Sequence, residues 1–150
     1  ATVRYPRGTG PNKTIEKELK TFEIGKANVV TDYGSKIVIL NFGALLEEAC
    51  SVAKDLQITL IDMRFVKPLD EELLKKYLTK ADMFVSIEDG SVMGGAGSAV
   101  QEFCSRENIE IKSVLFGIPD TFIEHASRKE MLEDAGLTSK KIKSKIEDLL

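Results

Sequence analysis

The sequence predicts an α/β domain, a three-layer α/β/α arrangement around a mostly parallel five-stranded sheet with one antiparallel edge strand. Strand-like and helix-like segments alternate after residue 21, the pattern of parallel strands joined by crossover helices. Residues 36–42 (KIVILNF) form a continuous apolar run, typical of a strand covered on both faces. The first two strands are joined only by a short turn at Gly34 and Ser35. Connections that short make antiparallel pairs, so one antiparallel strand is expected at an edge.

The elements follow in order. Residues 28–33 read as the first strand and residues 36–42 as the second. Residues 44–56 place Ala49, Val52, Ala53 and Leu56 on one helical face. Residues 58–63 are the next strand. Asp70, just past Pro68, is set to cap a helix carrying Leu73, Leu74, Tyr77 and Leu78. Residues 83–88 are a core strand, followed by a glycine-rich turn and a helix with Val100, Phe103 and Cys104 inward. Residues 111–116 are the last strand. Ser127 and Glu130 form a capping box for a short helix that Gly136 ends. Thr138 opens the final helix, with Ile142, Ile146, Leu149 and Leu150 on one face.

Composition narrows the function. Apolar residues are 43% of 150, enough for the core of one compact domain. Against 24 acidic residues stand 21 basic ones, a net charge of -3. That balance lacks the basic excess a nucleic-acid partner demands. No apolar run is long enough to span a bilayer, and no leader signals secretion. Cys50 and Cys104 form no C-x-x-C pair, so reduced cytoplasmic thiols are expected. Residues 1–10 (ATVRYPRGTG) have no core of their own and read as the tail of something upstream. Residues 8–21 are polar and linker-like. The expected division is residues 1–21 as upstream tail and linker, and residues 22–150 as the domain.

Few residues carry obvious chemistry. The segment 88–98 (EDGSVMGGAGS) follows a strand and opens a helix, where backbone N–H groups can hold an anion. It lacks the third glycine of a dinucleotide fingerprint and the Lys-Ser/Thr of a P-loop. Close packing of helix on strand is the favoured reading for its glycines. His125 is the only histidine, so a zinc site has poor material, and a surface or hydrogen-bonding role is favoured. Asp62 and Arg64 end a strand, where α/β ligand sites collect, though a local ion pair fits equally. Arg4 and Arg7 are two guanidinium groups in a segment with little local structure. Arginine holds phosphate through a planar fork of donors. The pair makes sense if another domain supplies the rest of a site.

Read as blocks, the chain resembles the 1-deoxy-D-xylulose-5-phosphate synthase family. The blocks are residues 4–8 (RYPRG), 39–43 (ILNFG), 62–70 (DMRFVKPLD), 93–98 (MGGAGS), 117–125 (GIPDTFIEH) and 133–137 (EDAGL). Their order and spacing match along the chain, and the block at 62–70 is the most specific. Ala126 departs from the glycine that many relatives carry there. Transketolases and 2-oxo-acid dehydrogenase β subunits share the fold of this last domain but match the blocks less well.

The resemblance implies a transketolase-type C-terminal domain within a cytoplasmic homodimer. That enzyme condenses pyruvate with D-glyceraldehyde 3-phosphate, with loss of carbon dioxide, using thiamine diphosphate and magnesium. The product feeds isoprenoid, thiamine and pyridoxal synthesis. The upstream domains hold the cofactor, so no catalytic, cofactor-binding or metal residue is expected here, and the fragment alone is expected to be inactive. One site residue carries over: the second arginine of the first block, Arg7, helps hold the phosphate of the aldehyde substrate. Arg4 and Tyr5 match the block without an implied ligand role. The alternatives are the last domain of another thiamine-diphosphate enzyme, or a stand-alone anion-binding α/β module.

Overall fold

The computed structural model describes residue 18 and residues 21–150. Five strands form one sheet in the order β1-β3-β2-β4-β5. They are β1 (Asn28–Thr31), β2 (Ile37–Phe42), β3 (Thr59–Asp62), β4 (Met83–Ser91) and β5 (Lys112–Ile118). The helices are α1 (Leu46–Leu56), α2 (Glu71–Leu78), α3 (Ala96–Arg106), α4 (Arg128–Asp134) and α5 (Ser139–Glu147).

All six residues of β2 are buried, and β2 lies at the centre of the sheet. Its side chains alternate between two separate cores. Ile37 and Ile39 pack with α1 and α5 through Ala49, Val52, Ala53, Ile142 and Ile146. Val38, Leu40 and Phe42 pack with α2 and α3 through Leu74, Leu78, Val100 and Phe103. The expected three-layer fold is present. Cys50 packs on the first core and Cys104 belongs to the second. Neither cysteine is in a disulfide, and burial pushes the Cys104 thiol up.

The antiparallel edge strand is also present, but its partner is β3 and not its sequence neighbour β2. β1 pairs Asn28 with Asp62 and Val29 with Ile61, while β2, β3, β4 and β5 run parallel. Residues 32–36 are therefore a crossing over the amino end of β3 and not a hairpin turn. Polar groups fasten that crossing. Thr59 Oγ1 donates to Asp32 Oδ1 at 3.1 Å, and the Tyr33 amide donates to Thr59 Oγ1 at 3.3 Å. The Tyr77 hydroxyl donates to Asp32 Oδ2 at 2.8 Å.

Two expected caps are in place. Asp70 accepts from the Leu73 amide at 3.1 Å and from the Ala27 amide at 3.0 Å, tying α2 to the segment ahead of β1. Ser127 and Glu130 close a reciprocal capping box on α4. One expected face is shorter than its pattern. α5 ends at Glu147, so Leu149 and Leu150 fall beyond the last turn and stay exposed.

Asp70→Ala removes a cap and leaves the Ala27 amide without its acceptor. It is expected to lower unfolding free energy by about 2–3 kcal/mol in urea denaturation. A change under about 0.5 kcal/mol would mean the α2 tie contributes little. A second prediction concerns pH. The Gly34 amide first, then the Tyr77 hydroxyl, hold the Asp32 carboxyl below its usual range. A lowered folded value adds stability above the unfolded value, near about 3.9, and loses it as pH falls through the folded one. Tyr77→Phe should therefore be destabilising at neutral pH, by a margin that shrinks below about pH 4. Paired urea titrations at neutral and acid pH check this, and a margin independent of pH would refute it.

Candidate functional site

Parallel α/β sheets gather ligand sites at the carboxyl ends of their strands. That edge here carries the glycine-rich segment, the Asp62 and Arg64 pair and the loop holding His125. The structure brings the first of these together with a residue whose role the sequence reading did not single out. Glu88, toward the carboxyl end of β4, which runs past the expected end at residue 88 to Ser91, is 6% exposed. Its carboxylate lies against the start of α3. The Ala96 amide donates to Glu88 Oε2 at 2.9 Å and the Gly97 amide to Oε1 at 3.0 Å. A buried carboxylate satisfies two orphan amides and sits at the positive end of the helix dipole.

Two glycines of the segment follow from close approach of this turn and helix to the sheet. A Cβ on Gly95 would overlap the Ser91 carbonyl oxygen and lie 2.6 Å from both Glu88 oxygens. A Cβ on Gly97 would overlap Ser86 Oγ and lie 2.9 Å from Leu115 Cδ2. Both positions need space and not unusual torsions. Gly94 is the reverse case, with φ +67 and nothing within 4 Å of an added Cβ. Close packing therefore accounts for residues 95–97. The two amides that an external anion would use first are already taken by Glu88.

Asp62 and Arg64 form the local ion pair, Arg64 Nε lying 3.6 Å from Asp62 Oδ2. Arg64 adopts φ 58, and its guanidinium stacks over the Phe22 ring at 4.5 Å from the centroid. Gly25, with φ +75, packs on Pro68, where a Cβ would lie 2.8 Å from Cγ. The block at residues 62–70 thus clasps residues 22–27, the incoming stretch of chain. Lys26 adds an exposed pair with Glu72 at 2.9 Å. Such a pair contributes little on its own.

His125 is exposed in the loop between β5 and α4. Beside that loop is a cavity of about 330 Å³, lined mainly by apolar groups including Ile118, Phe122, Met131 and Leu132. Arg4, Tyr5 and Arg7 lie outside the described residues. Among the described residues no three His, Cys, Asp or Glu side chains are grouped to hold a metal ion. With the α3 amides engaged by Glu88, these residues do not fit a diphosphate-bearing cofactor and its metal. No helix among them is long and apolar enough to cross a membrane.

A mixed five-stranded sheet with one antiparallel edge, helices on both faces and this carboxyl edge define an α/β domain of the transketolase type. The family described as "Transketolase, C-terminal domain" matches residues 25–142, and the chain belongs to it. Among curated proteins, it is similar to 1-deoxy-D-xylulose-5-phosphate synthase of Pseudomonas fluorescens, with 51% identity over 151 residues. The same enzyme of Pseudomonas syringae pv. syringae is 50% identical over 151 residues. Each alignment covers 100% of this chain and 24% of the relative. The chain thus spans about a quarter of the length of the curated relatives it matches.

Two solved structures agree on the fold. A split-gene transketolase, described as an inactive β4 tetramer, superposes with a TM-score of 0.75 at 32% identity. The match covers 85% of this chain and 42% of that one. A transketolase from Campylobacter jejuni gives a TM-score of 0.61 at 17% identity, over 83% of this chain and 18% of that one.

Two substitutions separate space from torsion in the glycine-rich segment. Gly95→Ala is expected to destabilise by about 3 kcal/mol, the upper end of the usual overpacking cost, because the obstructing atoms include backbone and a buried carboxylate. Gly94→Ala should cost about 1–2 kcal/mol, the left-handed penalty alone. Urea denaturation of the two variants checks the order, and the reverse ranking would refute it.

Proposed function

We propose that this chain is the C-terminal domain of a 1-deoxy-D-xylulose-5-phosphate synthase. The full-length enzyme is a cytoplasmic homodimer that condenses pyruvate with D-glyceraldehyde 3-phosphate and releases carbon dioxide. Its product supplies isoprenoid, thiamine and pyridoxal synthesis. Residues 22–150 are the domain, and residues 1–21 are the end of the preceding domain plus a linker. Thiamine diphosphate and magnesium belong to the preceding domains, so the domain alone is inactive and serves the fold and dimer of the whole.

The observation that carries this reading is the 51% identity over an alignment that covers 100% of the chain. Family membership by fold alone would leave transketolases equally placed.

Arg7 is the one residue of the chain assigned to substrate. A guanidinium presents paired donors to a phosphate dianion and fixes the substrate away from its reacting carbon. Such binding orients the aldehyde and supplies energy that the reacting centre uses. Arg7→Ala in the full-length enzyme should remove about 2–5 kcal/mol of binding, raising KM for glyceraldehyde 3-phosphate at least about 30-fold. KM for pyruvate should hardly move. Arg7→Lys should recover part of the loss, since lysine keeps the charge without the planar fork. Steady-state kinetics with each substrate varied in turn decides the matter. Unchanged kinetics in Arg7→Ala would remove Arg7 from the site.

A further inference from the structure

Five large apolar side chains stand in solvent on one edge of the domain. They are Phe22 (64% exposed), Ile24 (76%), Val66 (48%), Met93 (71%) and Phe122 (106%). They come from four segments far apart in sequence, and the topology gathers them. Because β2 to β5 run parallel, the loops after β3, β4 and β5 all leave by the carboxyl edge. β1 runs antiparallel with Asn28 opposite Asp62, so the residues ahead of it reach the same edge. The loop from β1 to β2 lies at the opposite edge, and its exposed aromatic is Tyr33, 42% exposed. The apolar cavity between the loop after β5 and α4 opens beside Phe122 and extends the surface. Single exposed apolar residues are ordinary, but a gathering of them at one edge marks a contact surface.

We propose that this carboxyl edge is the face by which the domain docks on the preceding part of its own polypeptide. The proposal rests on the reading above, in which the domain belongs to a longer synthase. Two observations select that occupant. The matched relatives are about four times the length of this chain, so most of such a protein is available to cover the edge. The described stretch ahead of β1 also lies at the same edge. Residues 22–27 lie on it, held by Pro68 against Gly25 and by Asp70 on the Ala27 amide. Two units joined beside their contact meet at high effective concentration, so a modest apolar surface suffices to hold them together.

The test is hydroxyl-radical footprinting of the native full-length protein, with oxidation at Met93, Phe122, Tyr33 and Leu150 read by mass spectrometry. Each rate is divided by that of the same residue in the denatured protein. Met93 and Phe122 are expected to slow at least about tenfold, as in a water-excluding contact, while Tyr33 and Leu150 slow far less. Phe122→Asp in the full-length protein should raise oxidation of Met93, across the same edge. Oxidation of Met93 and Phe122 at the denatured rate would overturn the proposal. So would protection that disappears on dilution to separated subunits, because the occupant would then be a second copy. Synthase activity of the same preparation is measured separately. Protection without synthase activity keeps the docking face while removing the functional reading on which its size argument drew.

Discussion

Burial of β2 on both faces is the constraint from which the domain is built. A strand with six consecutive buried residues cannot lie against solvent on either side, so helices must cover both. Two cores result, one with α1 and α5 and one with α2 and α3. Parallel neighbours on each side of β2 then send the loops after β2, β3, β4 and β5 to a single edge. The antiparallel run of β1 beside β3 brings the incoming chain to that edge as well. The surface available for contact is thus a consequence of core burial and topology together.

Glu88 shows how that edge is kept in order. A carboxylate at 6% exposure needs partners, and it finds them in the Ala96 and Gly97 amides. The same contact satisfies the start of α3 and helps forbid a side chain at Gly95, while Ser86 and Leu115 forbid one at Gly97. A glycine-rich turn before a helix is often a ligand cradle. Here an internal anion occupies the cradle, and the turn serves packing. The block at residues 62–70 has a comparable character. Arg64 on Phe22, Pro68 on Gly25 and Asp70 on Ala27 direct the incoming segment.

Much of this was legible in the sequence, for identifiable reasons. The run at residues 36–42 announced a strand buried on both faces. The Asp70 cap and the Ser127 and Glu130 capping box were readable because local hydrogen bonding depends on residues three apart. The partner of β1 was not readable, since turn length alone does not reveal that Thr59 anchors the crossing at Asp32 and Tyr33. The exposure of Leu149 and Leu150 was missed because helical periodicity does not say where a terminal helix stops. Glu88 was in view as the first residue of the glycine-rich segment. Its signal was an acidic residue ending a strand just before glycines that open a helix. The surface of Phe22, Ile24, Val66, Met93 and Phe122 has no sequence signature, because only the sheet order brings those segments to one edge.

Fold and family place this domain among transketolase C-terminal domains, and the proposed function turns on the donor substrate of the whole protein. The most direct measurement incubates the full-length protein with thiamine diphosphate, magnesium, pyruvate and D-glyceraldehyde 3-phosphate, and quantifies the sugar phosphate formed. Release of carbon dioxide with equal formation of 1-deoxy-D-xylulose 5-phosphate is the expected result. Inertness toward pyruvate, with transfer of a two-carbon unit from a ketose phosphate instead, would contradict it and make the protein a transketolase.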